Sequence, residues 1–258
     1  MFLVATLASA CSAAVNAPST PRATAPAASL PASTAAATVA ATTPPPSPTP
    51  PPTPAAAPAV RYVALGASDT VGVGASDPTS GSWPARVAAL LPAGSAYVNL
   101  GVSGSIAIQA KDQQLPGAIA QKPTVVSIWL AVNDMNATIQ PDSYQAAIGA
   151  VVDGLVTRTD AKIFIGNVPD LRSVPAYANA DKNALLAQIN AYNAAIAAVI
   201  AKYPGRAFAV DLFTGSAGLV STMTVSGDGF HPSDDGYKLI ADRFAAAMRA
   251  NGVPLRAS

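Results

Sequence analysis

Short apolar runs alternate with helical segments along the chain after residue 60. Five such runs, each closed by glycine or a polar residue, predict buried strands at 62–65, 96–100, 124–130, 162–166 and 206–212. Apolar residues recur with helical spacing at 83–91, 106–120, 142–157, 180–203 and 234–250, the second of these with a break at Pro116. Strands that are apolar throughout and alternate with helices are typical of a parallel sheet covered on both faces. The pattern therefore predicts an α/β fold of three layers with five parallel strands.

The first sixty residues have a different composition. They hold 13 of the 24 prolines, are otherwise mostly Ala, Thr and Ser, and carry one charged residue, Arg22. A segment with so few large apolar side chains cannot offset the entropy lost on ordering. We therefore expect residues 12–60 to be a disordered tether and residues 61–258 to form a single domain, which is long enough to bury a substantial core.

An apolar run precedes Cys11, the only cysteine, and predicts an export signal at residues 1–11. The small residues directly before Cys11 resemble a bacterial lipoprotein signal, in which that cysteine is lipidated. Ordinary cleavage after Ala-Ser-Ala is the alternative, since Leu7 stands one position further from Cys11 than in that signal and no basic residue precedes the run. We expect an exported protein, a cell-surface lipoprotein or a secreted one, with membrane contact only through a lipid anchor. No other stretch is predicted to span a bilayer.

Charge and ligand-forming residues exclude several functions. The chain has 15 basic and 14 acidic residues without runs of either sign, which argues against nucleic acid as a partner. All of the acids are Asp, so a zinc-binding helix that depends on Glu is excluded. One histidine and one cysteine are too few for a usual zinc site. We therefore expect neither a metal nor a cofactor.

Polar blocks follow four of the predicted strands or precede the last helix. They read GASD at 66–69, NLGVSG at 99–104, VND at 132–134 and DGFHP at 228–232. Functional groups of parallel sheets collect at the carboxyl ends of the strands. A serine nucleophile needs a base to take its proton, and His231 is the only histidine. Asp228, three residues earlier, is placed to orient its ring, and Ser68 is the candidate nucleophile.

These blocks resemble those of the SGNH (GDSL-type) hydrolases, a family named for its conserved Ser, Gly, Asn and His. The matching residues are Ser68, Gly101, Asn133 and His231. The resemblance implies a flavodoxin-like α/β/α sandwich and ester hydrolysis without a cofactor. It also implies a triad of Ser68, Asp228 and His231. The implied oxyanion hole consists of the backbone N–H groups of Ser68 and Gly101 and the side-chain amide of Asn133.

The resemblance covers residues 61–258, with two departures. The family's first block has Asp before the nucleophile, whereas Ala67 stands there and Asp69 follows Ser68. Asp69 is a candidate to take over hydrogen bonding that supports this loop. Ala131 stands where the third block of the family has Gly.

The sequence also contains rivals for two of these roles. GASD recurs at 74–77, which makes Ser76 a second candidate nucleophile, but Ser68 is favoured because it directly follows a strand. Asp234 and Asp235 could replace Asp228, but Ser233 is predicted to cap a helix whose first turn holds both acids. No Gly-x-Ser-x-Gly occurs, so the nucleophile elbow of the α/β-hydrolases is absent.

The expected function is that of a serine esterase that forms an acyl-Ser68 intermediate. The predicted loops around the site are rich in small residues and favour short acyl groups. A carbohydrate O-deacetylase of the same fold and a non-catalytic surface binding module are the alternatives. The expected partner is a small-molecule or polysaccharide ester, and the expected state is a monomer.

Overall fold

A computed structural model describes residues 58–219 and 225–257. The expected signal with Cys11, and the tether as far as residue 57, lie outside the described residues. Val60 is buried, its N–H donates to Ser95 Oγ at 2.9 Å, and its carbonyl accepts the N–H of Ala96 at 2.9 Å. Within the described residues, packing into the fold therefore starts at Val60.

Five parallel strands form one sheet, as the apolar runs predicted. They are β1 (Arg61–Gly66), β2 (Ala96–Asn99), β3 (Val125–Trp129), β4 (Lys162–Gly166) and β5 (Ala207–Val210). Their order is β2-β1-β3-β4-β5. The direction in which strands are added reverses between β1 and β3, and ligands of such sheets bind in the crevice outside the strand ends at that point.

The helices connect the strands and cover both faces of the sheet. They are α1 (Ser68–Val71), α2 (Pro78–Gly81), α3 (Trp83–Ala88), α4 (Ala107–Gln109), α5 (Leu115–Ala120), α6 (Val132–Asn136), α7 (Pro141–Arg158), α8 (Lys182–Ala201) and α9 (Asp234–Ala250). A π-helical turn, Ala110–Gln114, joins α4 to α5. The helix predicted at 106–120 is interrupted close to Pro116, as expected: the π-helical turn ends at Gln114, and Pro116 lies in the first turn of α5, where a missing N–H costs little.

Alternate residues of β1 enter two separate cores. Val63 and Leu65 pack with side chains of α4, α5, α7 and α8 on one face. Tyr62 and Ala64 pack with α3 and α9 on the other. In this second core Trp83 stacks on Phe244, with 4.1 Å between the ring centroids. The arrangement is the expected α/β/α sandwich.

By length and composition, α8 could cross a membrane, since it has 20 residues and an 18-residue stretch of it reaches a mean hydropathy of 1.5. The expectation that no stretch beyond the N-terminus meets these criteria was therefore wrong. One face of α8 nevertheless belongs to the first core, where Ile189, Tyr192 and Val199 are buried. Tyr192 packs against Tyr144 of α7, with 4.8 Å between the ring centroids. These contacts are typical of the core helix of a globular domain.

The buried side chain of Gln114 closes the end of β1. Its Nε2 donates to the carbonyl of Gly66 at 2.9 Å and to Ser105 Oγ at 3.1 Å, and its Oε1 accepts the Gly66 N–H at 3.0 Å. A side chain at position 66 would not fit, because its Cβ would lie 2.0 Å from Thr70 Oγ1. The chain therefore turns directly from β1 into α1 while the backbone N–H and carbonyl of Gly66 stay paired.

Replacing Gln114 by Leu should lower the free energy of unfolding by about 1–3 kcal/mol, because the buried Gly66 N–H loses its acceptor. Urea unfolding followed by circular dichroism measures this change. The matched control is Gln121→Leu at the exposed end of α5, which should change stability by less than about 0.5 kcal/mol. Equal effects of the two substitutions would contradict the role given to Gln114.

Candidate active site

Ser68 is the first residue of α1 and directly follows the end of β1. Its side chain is largely buried, and its Oγ lies 2.9 Å from Nε2 of His231. Its own carbonyl accepts the N–H groups of Gly72 and Val73, which close the short helix. Its backbone N–H forms no hydrogen bond with another described residue. The fold thus places the serine hydroxyl within hydrogen-bonding distance of the imidazole.

The other ring nitrogen of His231 faces Asp228, with 2.6 Å between Nδ1 and Oδ2. When Nδ1 donates its proton to this carboxylate, Nε2 carries the lone pair that accepts the Ser68 hydroxyl. Oδ1 of Asp228 accepts the Ser226 hydroxyl at 2.8 Å and the N–H groups of Phe230 and His231 at 2.8 and 2.9 Å. Partial burial acts to raise the pKa of Asp228, but these donors and the imidazole outweigh it and hold that pKa well below its usual range.

The rival residues lie apart from this chain of hydrogen bonds. Ser76 is exposed, and its N–H donates to Asp234 at 3.2 Å. Asp234 also lies 3.6 Å from Arg86 Nη2. Ser233 accepts the N–H of Gly236 and caps α9, with Asp234 and Asp235 in its first turn. The structure thus brings Ser68, Asp228 and His231 together and leaves the rivals outside.

Asn133 lies on α6, directly after β3. Its Nδ2 donates to the carbonyl of Ser105 at 3.1 Å, which draws the loop after β2 toward the loop after β3. Ala131, which precedes α6, has a φ of 138°, in a region that favours glycine. This backbone explains why the family has glycine at the corresponding position.

Gly101 is not placed as the resemblance implied. Its N–H donates to Oδ1 of Asn99 at 2.9 Å, while Nδ2 of Asn99 donates to the carbonyl of Thr70 at 2.7 Å. A Cβ on Gly101 would lie 2.9 Å from Cγ2 of Thr70. The assignment of Gly101 to an oxyanion hole is corrected on this ground. The glycine allows the loop after β2 to pack closely on α1, and its N–H is already engaged.

Gly104 has the free donor that Gly101 lacks. It has a φ of 80°, and no atom lies within 4 Å of a Cβ built on it. Its N–H forms no hydrogen bond with the described residues, and it directly precedes Ser105, whose carbonyl binds Asn133. Sequence reasoning missed this residue, although the second glycine of NLGVSG was the available signal.

Asp69 does not support the loop as the sequence suggested, because Gln114 holds Gly66 instead. The Asp69 carboxyl forms no hydrogen bond with any other described residue, and the only donor that reaches it is its own N–H. Burial raises the pKa of Asp69 to about 6, although the nearby His231 acts to lower it. Asp228 adds a smaller upward contribution to that pKa.

A mainly apolar cavity of about 110 Å³ opens beside this cluster. Asp69, next to Ser68, and Phe230 and Pro232, on either side of His231, form its near end. Further walls come from the strand ends, the loop after β4 and α9, and include Trp129, Val132, Leu171, Val174, Leu212 and Ile240. A smaller recess shares Asp69, Trp129 and Val132 with the cavity and is lined by Ser105 and Asn133 as well. The cavity therefore lies beside the residues that flank Ser68 and His231.

The carboxyl groups of this region have separate surroundings. Asp228 faces His231, Asp234 faces Ser76 and Arg86, and Asp134 accepts the N–H of Ala107. Within the two described ranges, no three His, Cys, Asp or Glu side chains are close enough to hold a metal ion.

Comparison with known families agrees with this geometry. The sequence profile of the GDSL-like lipase/acylhydrolase family matches residues 64–239. The chain belongs to this family. It is accordingly a serine hydrolase that cleaves esters. No curated protein sequence matches the chain significantly.

Several solved structures share the fold of this GDSL-family domain. TesA superposes with a TM-score of 0.58 at 21% identity, over 74% of this chain and 99% of its own. A family 3 carbohydrate esterase from Clostridium thermocellum gives 0.58 at 18% identity, over 75% of this chain and 96% of its own. A mutant of Axe2, an acetyl-xylooligosaccharide esterase from Geobacillus, gives 0.59 at 19% identity, over 77% and 97%. At these identities the likeness establishes the fold.

Replacing Asp134 by Asn should change how stability depends on pH. Asp134 is buried, and burial raises its pKa to about 6, so the folded state favours the protonated carboxyl. The stability that this group contributes is present below its unfolded pKa of about 4 and is lost as the pH rises through about 6. The variant should therefore gain stability relative to the wild type between about pH 4.5 and about pH 7.5, as urea midpoints would show. Parallel pH profiles of the two proteins would contradict the raised pKa of Asp134.

Proposed function

We propose that the domain hydrolyses carboxylic esters through a covalent acyl-Ser68 intermediate. The observation that carries this proposal is the hydrogen-bonded series Ser68 Oγ to His231 Nε2 and His231 Nδ1 to Asp228 Oδ2, at 2.9 and 2.6 Å. As Ser68 attacks the carbonyl, His231 takes its proton and then gives it to the leaving alkoxide. Water, activated by the same imidazole, then releases the acid and restores Ser68. Asp228 stabilises the imidazolium in both steps.

Three donors are available for the oxyanion of the tetrahedral intermediates. They are the N–H of Ser68, the side-chain amide of Asn133 and, in place of Gly101, the N–H of Gly104. The support for Gly104 is its free N–H and its position next to Ser105, which Asn133 contacts. Such donors act on charge that develops in the transition state, where each is worth about 2.7–4 kcal/mol.

The cavity beside Ser68 supports a short acyl group. An apolar cavity of about 150 Å³ accommodates benzene, so a cavity of about 110 Å³ suits an acyl group of roughly two to five carbon atoms. Its walls are mainly apolar, as the carbon chain of an acyl group requires. A short-chain carboxylic ester is therefore the proposed substrate class.

A carbohydrate O-deacetylase is the second candidate, because an acetyl group also fits the cavity and two of the structures that share the fold are described as carbohydrate or acetyl-xylooligosaccharide esterases. A non-catalytic binding module has no need of a complete serine, histidine and aspartate series. The N-terminal signal and tether support a location outside the cell, where either kind of ester would be met.

Replacing Ser68 by Ala should abolish hydrolysis of 4-nitrophenyl acetate and butanoate, because no acyl-enzyme can form. The expected loss in kcat is about 10⁴-fold or more. The matched control is Ser76→Ala in the second GASD sequence, which should keep wild-type rates. Activity that survives in the Ser68 variant and disappears in the Ser76 variant would contradict the proposed nucleophile.

Replacing Asn133 by Ala should reduce kcat by about 10²–10³-fold with a smaller effect on KM, because the amide acts mainly on the transition state. Steady-state kinetics on the same esters measure this split, and circular dichroism checks that the variant is folded. A rise in KM with kcat unchanged would assign Asn133 to ground-state binding instead.

A further inference from the structure

The polar side chains that line the apolar cavity differ in whether the protein itself pairs them. Ser216 Oγ donates to the carbonyl of Phe213 at 2.7 Å, and Nη1 of Arg243 donates to the carbonyl of Asp211 at 2.7 Å. Nε1 of Trp129 donates to the carbonyl of Asn167 at 3.2 Å. Asp69 differs from these three, because no other described residue donates to its carboxyl.

Burial raises the pKa of Tyr177 and of Tyr237, and the charge of Asp69 contributes to this rise, but neither hydroxyl group donates to Asp69. Tyr177 donates to Oδ1 of Asn136 at 2.9 Å, and Tyr237 donates to the carbonyl of Val73 at 2.5 Å. No ion pair with a basic side chain forms at Asp69 in the described part of the chain either. The Asp69 carboxyl is only partly buried and lines the cavity, so a ligand in the cavity can supply the donor that the protein does not.

Neither the triad nor the loop that carries Ser68 requires this carboxyl. Asp228 already orients His231, and Gln114 already pairs the backbone of Gly66. Asp69 is nevertheless the residue that follows Ser68, and it lines both the cavity and the recess that holds Asn133. An acyl group on Ser68 that enters the cavity would therefore pass Asp69 before it meets the apolar wall.

We propose that Asp69 is a specificity-determining residue that accepts a hydrogen bond from a hydroxyl on the acyl group, so that the preferred substrates are esters of short hydroxy acids. This inference rests on the proposed esterase function. The Asp69 carboxylate is one acceptor next to the nucleophile, and an apolar wall follows it. This arrangement matches an acyl chain that is apolar except for one hydroxyl donor close to its carbonyl. A polyol would leave its other hydroxyl groups unpaired against Leu171, Val174 and Leu212.

The test compares kcat/KM for the 4-nitrophenyl esters of butanoate, 2-hydroxybutanoate and 3-hydroxybutanoate. The wild type should prefer one of the hydroxy esters over butanoate by about tenfold to a hundredfold, the value of a hydrogen bond to a charged group. In Asp69→Leu this ratio should fall to about one. Asp69→Asn keeps an acceptor oxygen and should retain part of the preference. Asp142→Asn, at an exposed position on α7, is the control and should keep the wild-type ratio.

A ratio near one in the wild type, or a ratio that Asp69→Leu leaves unchanged, would overturn the proposal. Preference for an ester of a trimethylammonium acid, lost in Asp69→Asn, would also overturn it, because the residue would then recognise charge.

If the proposed esterase function itself fails, no ester will be turned over. This result differs from a failure of the Asp69 proposal, in which the esters are hydrolysed without preference. When no ester is turned over, ligand-observed NMR can test the role of Asp69 without turnover. It would measure the binding of 3-hydroxybutanamide, 2-hydroxybutanamide and butanamide to the Ser68→Ala protein. Tighter binding of a hydroxyamide that disappears when Asp69→Leu is added supports the acceptor role. Equal affinities for the three amides overturn it.

Discussion

The side-chain amide of Gln114 closes the carboxyl end of β1, and the candidate active site depends on that contact. A parallel strand that turns at once into a helix leaves backbone groups without strand partners, and burial makes unpaired groups costly. An amide side chain carries both a donor and an acceptor, so one residue can pair the N–H and the carbonyl of Gly66. The same side chain holds Ser105, whose carbonyl binds Asn133. One buried polar network thus joins the strand end that precedes the nucleophile to the amide of the third block, and its members strengthen one another.

The strands and long helices could be predicted because apolar spacing reports directly which residues face a core. The triad candidates could be predicted because the chain has one histidine and because chemistry in parallel sheets lies at strand ends. The short helices α1, α2 and α6 were missed, since four or five residues are too few to show a helical period.

Two features of the site depend on tertiary contacts that no local pattern contains. Gln114 lies in the polar sequence KDQQ, and only the π-helical turn decides that its side chain points inward. Gly101 and Gly104 lie in the same loop, and the sequence cannot tell which N–H is engaged. The side chain of Asn99 decides this by accepting the N–H of Gly101.

Asp228 and Asp69 show how one residue type acquires opposite properties in one site. Asp228 accepts three donors besides the imidazole, and its pKa falls although it is partly buried. Asp69 has no donor from another residue, and burial raises its pKa. Environments that shift the pKa values of two neighbouring carboxyl groups in opposite directions are typical of groups with different functions. Here one carboxylate stabilises a cation that forms on His231, and the other remains available to a ligand.

Two alanines line the recess beside the nucleophile, Ala67 before Ser68 and Ala131 before α6. Ala67 is buried, lines the recess beside Asn133, and its carbonyl accepts the N–H groups of Thr70 and Val71. A longer side chain at position 67 would extend from a buried position, and the neighbouring Gly66 N–H already donates to Gln114. Ala131 adds a second methyl group to the recess at a backbone geometry that costs about 1–3 kcal/mol. Ala67 and Ala131 thus place two methyl groups in the recess beside Asn133, and the acid of this block, Asp69, lines both this recess and the larger apolar cavity.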